Sequence, residues 1–119
     1  MSKKILLVED NPQLLRLIGD YLTIREYAVR SVGTAAEALA VLAGDAFDLV
    51  IADGVLPGDM SGLALIQEVR RRDPGQALIA MSGHPDLIPT LAATGVAVLQ
   101  KPFNMKALDL AVRKALAGQ

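Results

Sequence analysis

Three carboxylates, one hydroxyl and one ammonium group in this 119-residue chain each follow a short apolar run. They belong to Glu9, Asp10, Asp53, Ser82 and Lys101. Two carboxylates about 4 Å apart repel each other by roughly 4 kcal/mol at an effective dielectric constant of about 20, so a cluster of acids must bind protons or a cation. A site whose ligands are all oxygen atoms suits Mg²⁺, with Mn²⁺ as an alternative. Together these residue types indicate phosphoryl transfer to a carboxylate on a divalent cation.

Each of these residues also has an ordinary structural explanation. Asp53 precedes a glycine, and this pair is common in turns. Glu9 and Asp10 would favour the N-terminus of a helix that follows them. Ser82 and Lys101 suit loop and surface positions. A shared site is nevertheless favoured, because residues of the types that phosphoryl transfer needs follow four separate apolar runs.

The apolar runs themselves predict buried strands of a parallel sheet. They are short and are separated by segments with helical periodicity; the four that precede the candidate site residues are 5–8, 49–52, 77–81 and 96–99. A half-polar run at 27–32 suits an edge strand. Because parallel strands all end at one edge of their sheet, and ligands bind there, we expect the candidate residues to meet.

Five helical segments alternate with these strands. Their predicted starts are Asn11-Pro12, the Thr34–Glu37 capping box, Ser61, a fourth start near Pro85, and Asn104. The alternation predicts a doubly wound α/β fold, with helices on both faces of a five-stranded parallel sheet. The flavodoxin-like strand order 2-1-3-4-5 places Glu9 and Asp10 beside Asp53. We expect residues 1–119 to form a single domain.

Composition excludes several classes of function. Twelve basic residues are balanced by 13 acidic ones, which argues against direct nucleic-acid binding. No apolar run approaches the roughly 20 residues of a membrane span. The absence of cysteine excludes disulfides and thiolate metal sites. Because the first strand follows Met1 so closely that no signal peptide fits, we expect a cytoplasmic protein without membrane insertion.

At its candidate residues the chain resembles the receiver domains of bacterial two-component response regulators. The similar segments are 8–11, Asp53 with 56–62, 81–83 and 101–103, and the resemblance extends from Lys4 to about Leu116. It implies that Asp53 is a phosphoacceptor, which takes a phosphoryl group from a histidine kinase or a histidine phosphotransfer protein. It also implies a signalling protein rather than an enzyme, with an unidentified downstream protein reached by contact or phosphoryl relay.

The resemblance also implies roles for the other residues. Glu9, Asp10 and Asp53, with the main-chain carbonyl of Val55, match the ligands of Mg²⁺. Ser82 matches the hydroxyl that moves toward the phosphoryl group, and Lys101 matches the ammonium that binds it. The segment after Asp53 looks most like receivers fused to hybrid sensor kinases, whereas the start at Met1 suggests a stand-alone receiver or an excised domain.

Two positions depart from the family pattern. Receivers often carry an aromatic residue three positions before the lysine, where its rotamer reports phosphorylation, and here that residue is Val98. Pro89 is predicted to break or kink the fourth helix, which belongs to the same output face. The usual output switch is therefore in question, although the phosphorylation site is intact.

Two alternative functions remain. A docking module could keep these residues without switching, and phosphorylation-dependent partner binding would distinguish it from a receiver. A phosphatase similar to the haloacid dehalogenases would use Asp10 as its nucleophile. That family needs a second aspartate two residues later, where this chain has Pro12, and a later acidic pair that the chain lacks.

Overall fold

Strands and helices alternate along the whole of the computed structural model, which describes residues 2–118. The strands are β1 Lys4–Val8, β2 Ala28–Val32, β3 Leu49–Asp53, β4 Leu78–Ser82 and β5 Ala97–Gln100. The helices are α1 Pro12–Ile24, α2 Ala35–Gly44, α3 Gly62–Arg72, α4 Ile88–Ala93 and α5 Met105–Ala117. Among the described residues, no helix is long and apolar enough to cross a membrane.

All five strands are parallel, and their order is β2-β1-β3-β4-β5. This confirms the predicted fold and the predicted edge position of β2. Val8, the last residue of β1, pairs with Ala52, so the residues that follow β1 lie beside Asp53 at the end of β3. Asp53 in turn pairs with Met81, which precedes Ser82 at the end of β4.

Successive residues of the central strands face opposite sides of the sheet and form two apolar cores. Leu6 and Val8 of β1 pack with residues of α2, α3 and α4, including Leu91. Ile5 and Leu7 pack with residues of α1 and α5. Each fully buried leucine or isoleucine contributes about 1.5–3 kcal/mol. The two cores therefore hold the carboxyl ends of β1 and β3 firmly in place.

Four helices begin at a side-chain cap, and all four helix starts were predicted from the sequence. The capping side chains accept backbone N–H hydrogen bonds in the first turns and belong to Asn11, Thr34, Ser61 and Asn104. Replacing such a cap by alanine typically costs about 1 kcal/mol. The caps fix where each helix starts after its strand or loop, and so they fix the lengths of the connections at the edge that carries the candidate residues.

The predicted break in the fourth helix is present, and it lies just before Pro89. Pro89 is the second residue of α4, and a proline in the first turn is tolerated because the N–H at that position has no partner within a helix. A separate 3₁₀ turn, Pro85–Leu87, precedes the helix. The helix expected to start near Pro85 is therefore a 3₁₀ turn followed by a six-residue helix.

Candidate functional site

The three predicted acids meet at the carboxyl edge of the sheet. Carboxylate oxygens of Glu9, Asp10 and Asp53 lie within 4.8 Å of one another. Glu9 and Asp53 are buried, and Asp10 is exposed. The predicted clustering is therefore confirmed, and its donor set is all oxygen, as a hard divalent cation requires.

Lys101 reaches this cluster from the segment after β5. Its ammonium nitrogen lies 2.7 Å from Glu9 Oε1 and also donates a hydrogen bond to Asp53 Oδ2. Only 22% of the lysine side chain is exposed, so these interactions are poorly screened by solvent. The ammonium therefore bridges the two buried carboxylates and leaves the exposed Asp10 facing solvent beside them.

The environment shifts the pKa values of Glu9 and Lys101. Burial raises the pKa of Glu9 above its ordinary value, although hydrogen bonds from Lys101 and the Asn11 N–H oppose this shift. The nearby charge of Asp53 raises the pKa of Glu9 further. Burial lowers the pKa of Lys101, but hydrogen bonds to Asp53 and Glu9 outweigh it and leave that pKa raised. The lysine is therefore held as a cation, while ionised Glu9 remains costly and favours a further positive charge nearby.

Local backbone contacts position Asp53 at the end of β3. Its Oδ1 accepts a hydrogen bond from the Val55 N–H at 2.9 Å, and the Gly54 N–H donates to the Met81 carbonyl at 2.8 Å. A Cβ atom at Gly62 would collide with the main-chain carbonyl of Asp53. Glycine is therefore required where the first turn of α3 presses against the strand end, a constraint that sequence reasoning missed.

Ser82 is fully buried at the end of β4, and its hydroxyl is engaged with its own loop. Ser82 Oγ accepts a hydrogen bond from the His84 N–H at 3.0 Å and lies 3.4 Å from the His84 carbonyl, to which it donates. The Lys101 N–H donates to the Ser82 carbonyl at 2.8 Å, which ties the two loops together. His84 itself is exposed.

Beside the acids lies an open groove of about 550 Å³. Its lining includes Leu14 and Leu17 of α1 together with Gly83, Lys101 and Pro102. The Leu17 side chain is 55% exposed. The edge of the sheet is therefore accessible next to Lys101, and a group carried by another molecule can approach it there.

A sequence profile described as the response regulator receiver domain matches residues 5–113. The chain belongs to this family. The predicted family and receiver function are confirmed. This receiver domain is 37% identical, over 115 residues, to the transcriptional regulatory protein GlrR of Escherichia coli K12. It is 39% identical, over 120 residues, to the response regulator protein FleR of Pseudomonas aeruginosa.

These matches cover 94% and 98% of the chain but 26% and 25% of the two relatives. The receiver domain thus spans about a quarter of the length of these curated proteins. Two solved structures match it along nearly their whole length. A CheY-like receiver domain protein from Methanospirillum hungatei JF-1 has a TM-score of 0.91 at 29% identity, covering 99% of this chain and 96% of that one. TrrA of Thermotoga maritima, solved in complex with Mg²⁺-BeF, has a TM-score of 0.89 at 29% identity, covering 96% and 99%.

Proposed function

We propose that Asp53 is the phosphoacceptor of this receiver domain. The observation that carries the proposal is the contact of the Lys101 ammonium with Asp53 inside the acidic cluster. The Asp53 carboxylate lies between the Lys101 ammonium and the proposed metal site. It is therefore positioned to attack phosphorus while both positive charges stabilise the negative charge on the phosphoryl oxygens.

We further propose that Glu9, Asp10, Asp53 and the Val55 main-chain carbonyl hold Mg²⁺ or Mn²⁺. The three carboxylates fit such an ion, because their oxygens lie within 4.8 Å of one another and no nitrogen or sulfur ligand is among them. The relative from Thermotoga maritima was solved with Mg²⁺-BeF, which supports the choice of ion. When bound, the cation would neutralise phosphoryl oxygens.

The phosphoryl donor in this proposal is a phosphohistidine of a histidine kinase or a histidine phosphotransfer protein. An Asp53 oxygen forms the new P–O bond, the P–N bond of the phosphohistidine breaks, and its electron pair returns to the imidazole nitrogen. Lys101 pairs with one phosphoryl oxygen, and the Ser82 hydroxyl donates to another after leaving His84. The groove beside Lys101 gives the donor room to approach.

The receiver then acts as a signalling phosphoacceptor. It supports its own metal-dependent phosphorylation and dephosphorylation and transforms no other substrate. Its output goes to a downstream protein, by direct contact or by phosphoryl relay. The near balance of 12 basic and 13 acidic residues supports a protein partner over nucleic acid.

Incubation with acetyl phosphate and Mg²⁺, followed by mapping of the modified residue, tests the proposal. We expect one acyl phosphate, on Asp53, which forms only when Mg²⁺ or Mn²⁺ is present. Asp53→Asn should abolish labelling and keep the fold, and the matched change Asp59→Asn at an exposed loop position should leave labelling intact. Label on Asp10 would contradict this assignment and favour the phosphatase alternative.

A further inference from the structure

A cavity lies between the C-terminal ends of α2 and α3, at the edge of the sheet opposite the acidic cluster. Its volume is about 350 Å³, which falls within the range of roughly 300–1,000 Å³ that is usual for small-molecule sites. Its lining also includes Phe47 and Gln76, which precede β3 and β4, whereas the clustered acids lie where the strands end. The two sites are therefore separated by the length of the strands. We call this space the α2–α3 cavity.

Part of the lining is apolar and belongs to the core on that side of the sheet. Phe47 and Val69 are buried, and Leu39 and Leu42 of α2 are half-buried and pack against the same core. The Lys4 ammonium lies 4.9 Å from the centroid of the Phe47 ring, which fixes the ring from outside the cavity lining. These side chains offer a preformed apolar wall to the body of a ligand.

Two polar side chains of the lining offer oxygen atoms to a donor. Gln76 Nε2 donates to the main-chain carbonyls of Phe47 and Ala77 at 3.1 and 3.2 Å, so the amide is held in place and its own carbonyl oxygen is left as an acceptor. Asp73 Oδ1 accepts the Gly75 N–H at 3.2 Å. Within the described part of the chain, Asp73 forms no ion pair. The polar part of the cavity therefore has an acid without a cation beside it.

The electrostatics of the α2–α3 cavity favour a positively charged ligand. Helix α2 has no basic residue in its last turn, so its own sequence does not offset the partial negative charge of its C-terminus. Of the other charged residues of the lining, Asp45 is paired with Lys4 at 2.6 Å, and Arg72 lies 3.7 Å from the Glu68 carboxylate. The Asp73 carboxylate and the helix end thus remain to be compensated.

We infer that the α2–α3 cavity binds a small amphipathic cation, in which an ammonium group is carried on an aromatic or alkyl body. The ammonium donates to the Asp73 carboxylate and to the Gln76 carbonyl oxygen, and the body packs against Leu42 and Phe47. Such binding adds a ligand site to the receiver domain at the edge away from Asp53, and it does not depend on the phosphoacceptor role of Asp53.

Titration of the whole chain with tryptamine, which joins an ammonium to an indole ring, tests this site. Tryptophol and indole-3-propionate are matched probes that carry a hydroxyl and a carboxylate in place of the ammonium. In two-dimensional NMR spectra recorded with Mg²⁺ present, we expect the amide shifts caused by tryptamine to be concentrated in residues 39–47 and 69–76. Tryptamine should bind about fivefold more tightly than tryptophol, and indole-3-propionate should bind most weakly.

Two pairs of variants separate the charge from the shape of the cavity. Asp73→Asn keeps an oxygen for the Gly75 N–H and should weaken tryptamine binding about fivefold without changing tryptophol binding, whereas Asp59→Asn, of equal charge change at an exposed loop position, should change neither. Ala43→Leu places a larger side chain in the lining and should abolish binding of both probes. Ala40→Leu is its control, since Ala40 is exposed on the same helix but does not line the cavity.

Equal affinities for the three probes, or equal effects of Asp73→Asn and Asp59→Asn, would overturn the inference. Shifts centred on residues 9–11 and 53 would also overturn it, because they would place the cation at the acidic cluster. If Ala43→Leu does not fold, the comparison of Asp73→Asn with Asp59→Asn still decides the question. Labelling of Asp53 by acetyl phosphate should be unchanged in Asp73→Asn, so failure of this site and failure of the proposed function are measured separately.

Discussion

At the scale of single residues, the feature that governs this site is the ammonium of Lys101 among the acids. It contacts Glu9 and Asp53, whereas Asp10 faces solvent. One cation among three carboxylates leaves an excess of negative charge when all of them are ionised. Burial makes this excess more costly, as the raised pKa of Glu9 indicates. Lys101 therefore compensates only part of the negative charge at the site.

Asp53→Asn should stabilise the metal-free protein. The change removes a carboxylate that repels Glu9 and Asp10, and Lys101 keeps its 2.7 Å contact with Glu9. A gain of about 1 kcal/mol corresponds to a rise in melting temperature of roughly 4 °C for a domain of this size. Thermal unfolding in the presence of a chelator measures it, with Asp59→Asn as the control of equal charge. A melting temperature that stays the same or falls would show that repulsion does not dominate at Asp53.

At the scale of elements, α4 is the helix that is least fixed by its own sequence. It has six residues and no side-chain cap hydrogen bond, whereas α1, α2, α3 and α5 each have at least one. Such a short helix has little intrinsic stability, so it depends on tertiary packing, chiefly through Leu91. Val98 on β5 packs against the same core and has no ring that could change rotamer. A response to phosphorylation is therefore expected in α4 and the loop before it.

Beryllofluoride with Mg²⁺ should produce its largest changes in backbone amide shifts or hydrogen exchange between Ser82 and Thr94. Strand β5 around Val98 should change less. Ser82→Ala should remove most of this response and still permit phosphorylation of Asp53, since Lys101 and the metal ligands remain. Ser31→Ala, an exposed position on β2, is the matched control. A quiet segment 82–94 beside a large response centred on Val98 would rule out this form of switching.

At the scale of the whole molecule, the parallel sheet brings together residues that are far apart in the chain. Lys101 and Glu9 are separated by 92 positions and meet because β1 and β5 end at the same edge. The two apolar cores hold that edge in place whether or not the acids repel one another. The fold therefore carries a local electrostatic cost at the site that a bound cation would relieve.

Mg²⁺ should raise the melting temperature of the whole domain by mass action, because an ion that binds only the folded state stabilises it. At one hundred times the dissociation constant the gain is about 2.7 kcal/mol. Asp10→Asn should reduce the gain by weakening the site. Thermal unfolding across a Mg²⁺ titration at constant ionic strength measures both effects. An equal response to a monovalent salt would indicate general screening rather than a site.

The sequence by itself determined the elements and the edge at which the candidate residues meet. Apolar runs indicated the strands, and Asn11, Ser61 and Asn104 indicated helix starts. Both signals can be read from the sequence because they depend only on residues that are close together in the chain. Since parallel strands share one carboxyl edge, the clustering of Glu9, Asp10 and Asp53 followed. The roles of these residues, and the extent of one domain over 1–119, remain predictions.

Only the tertiary structure decided which atoms touch at that edge. It placed the Lys101 ammonium on two carboxylates, the Ser82 hydroxyl on His84, and two leucines against Gly54. It also showed that Pro89 lies in the first turn of α4 and not in the interior of a longer helix. Periodicity and capping act over a few residues, so they cannot specify such contacts. These depend on strand register and on the packing of side chains from distant segments, which exist only when the whole sheet has formed.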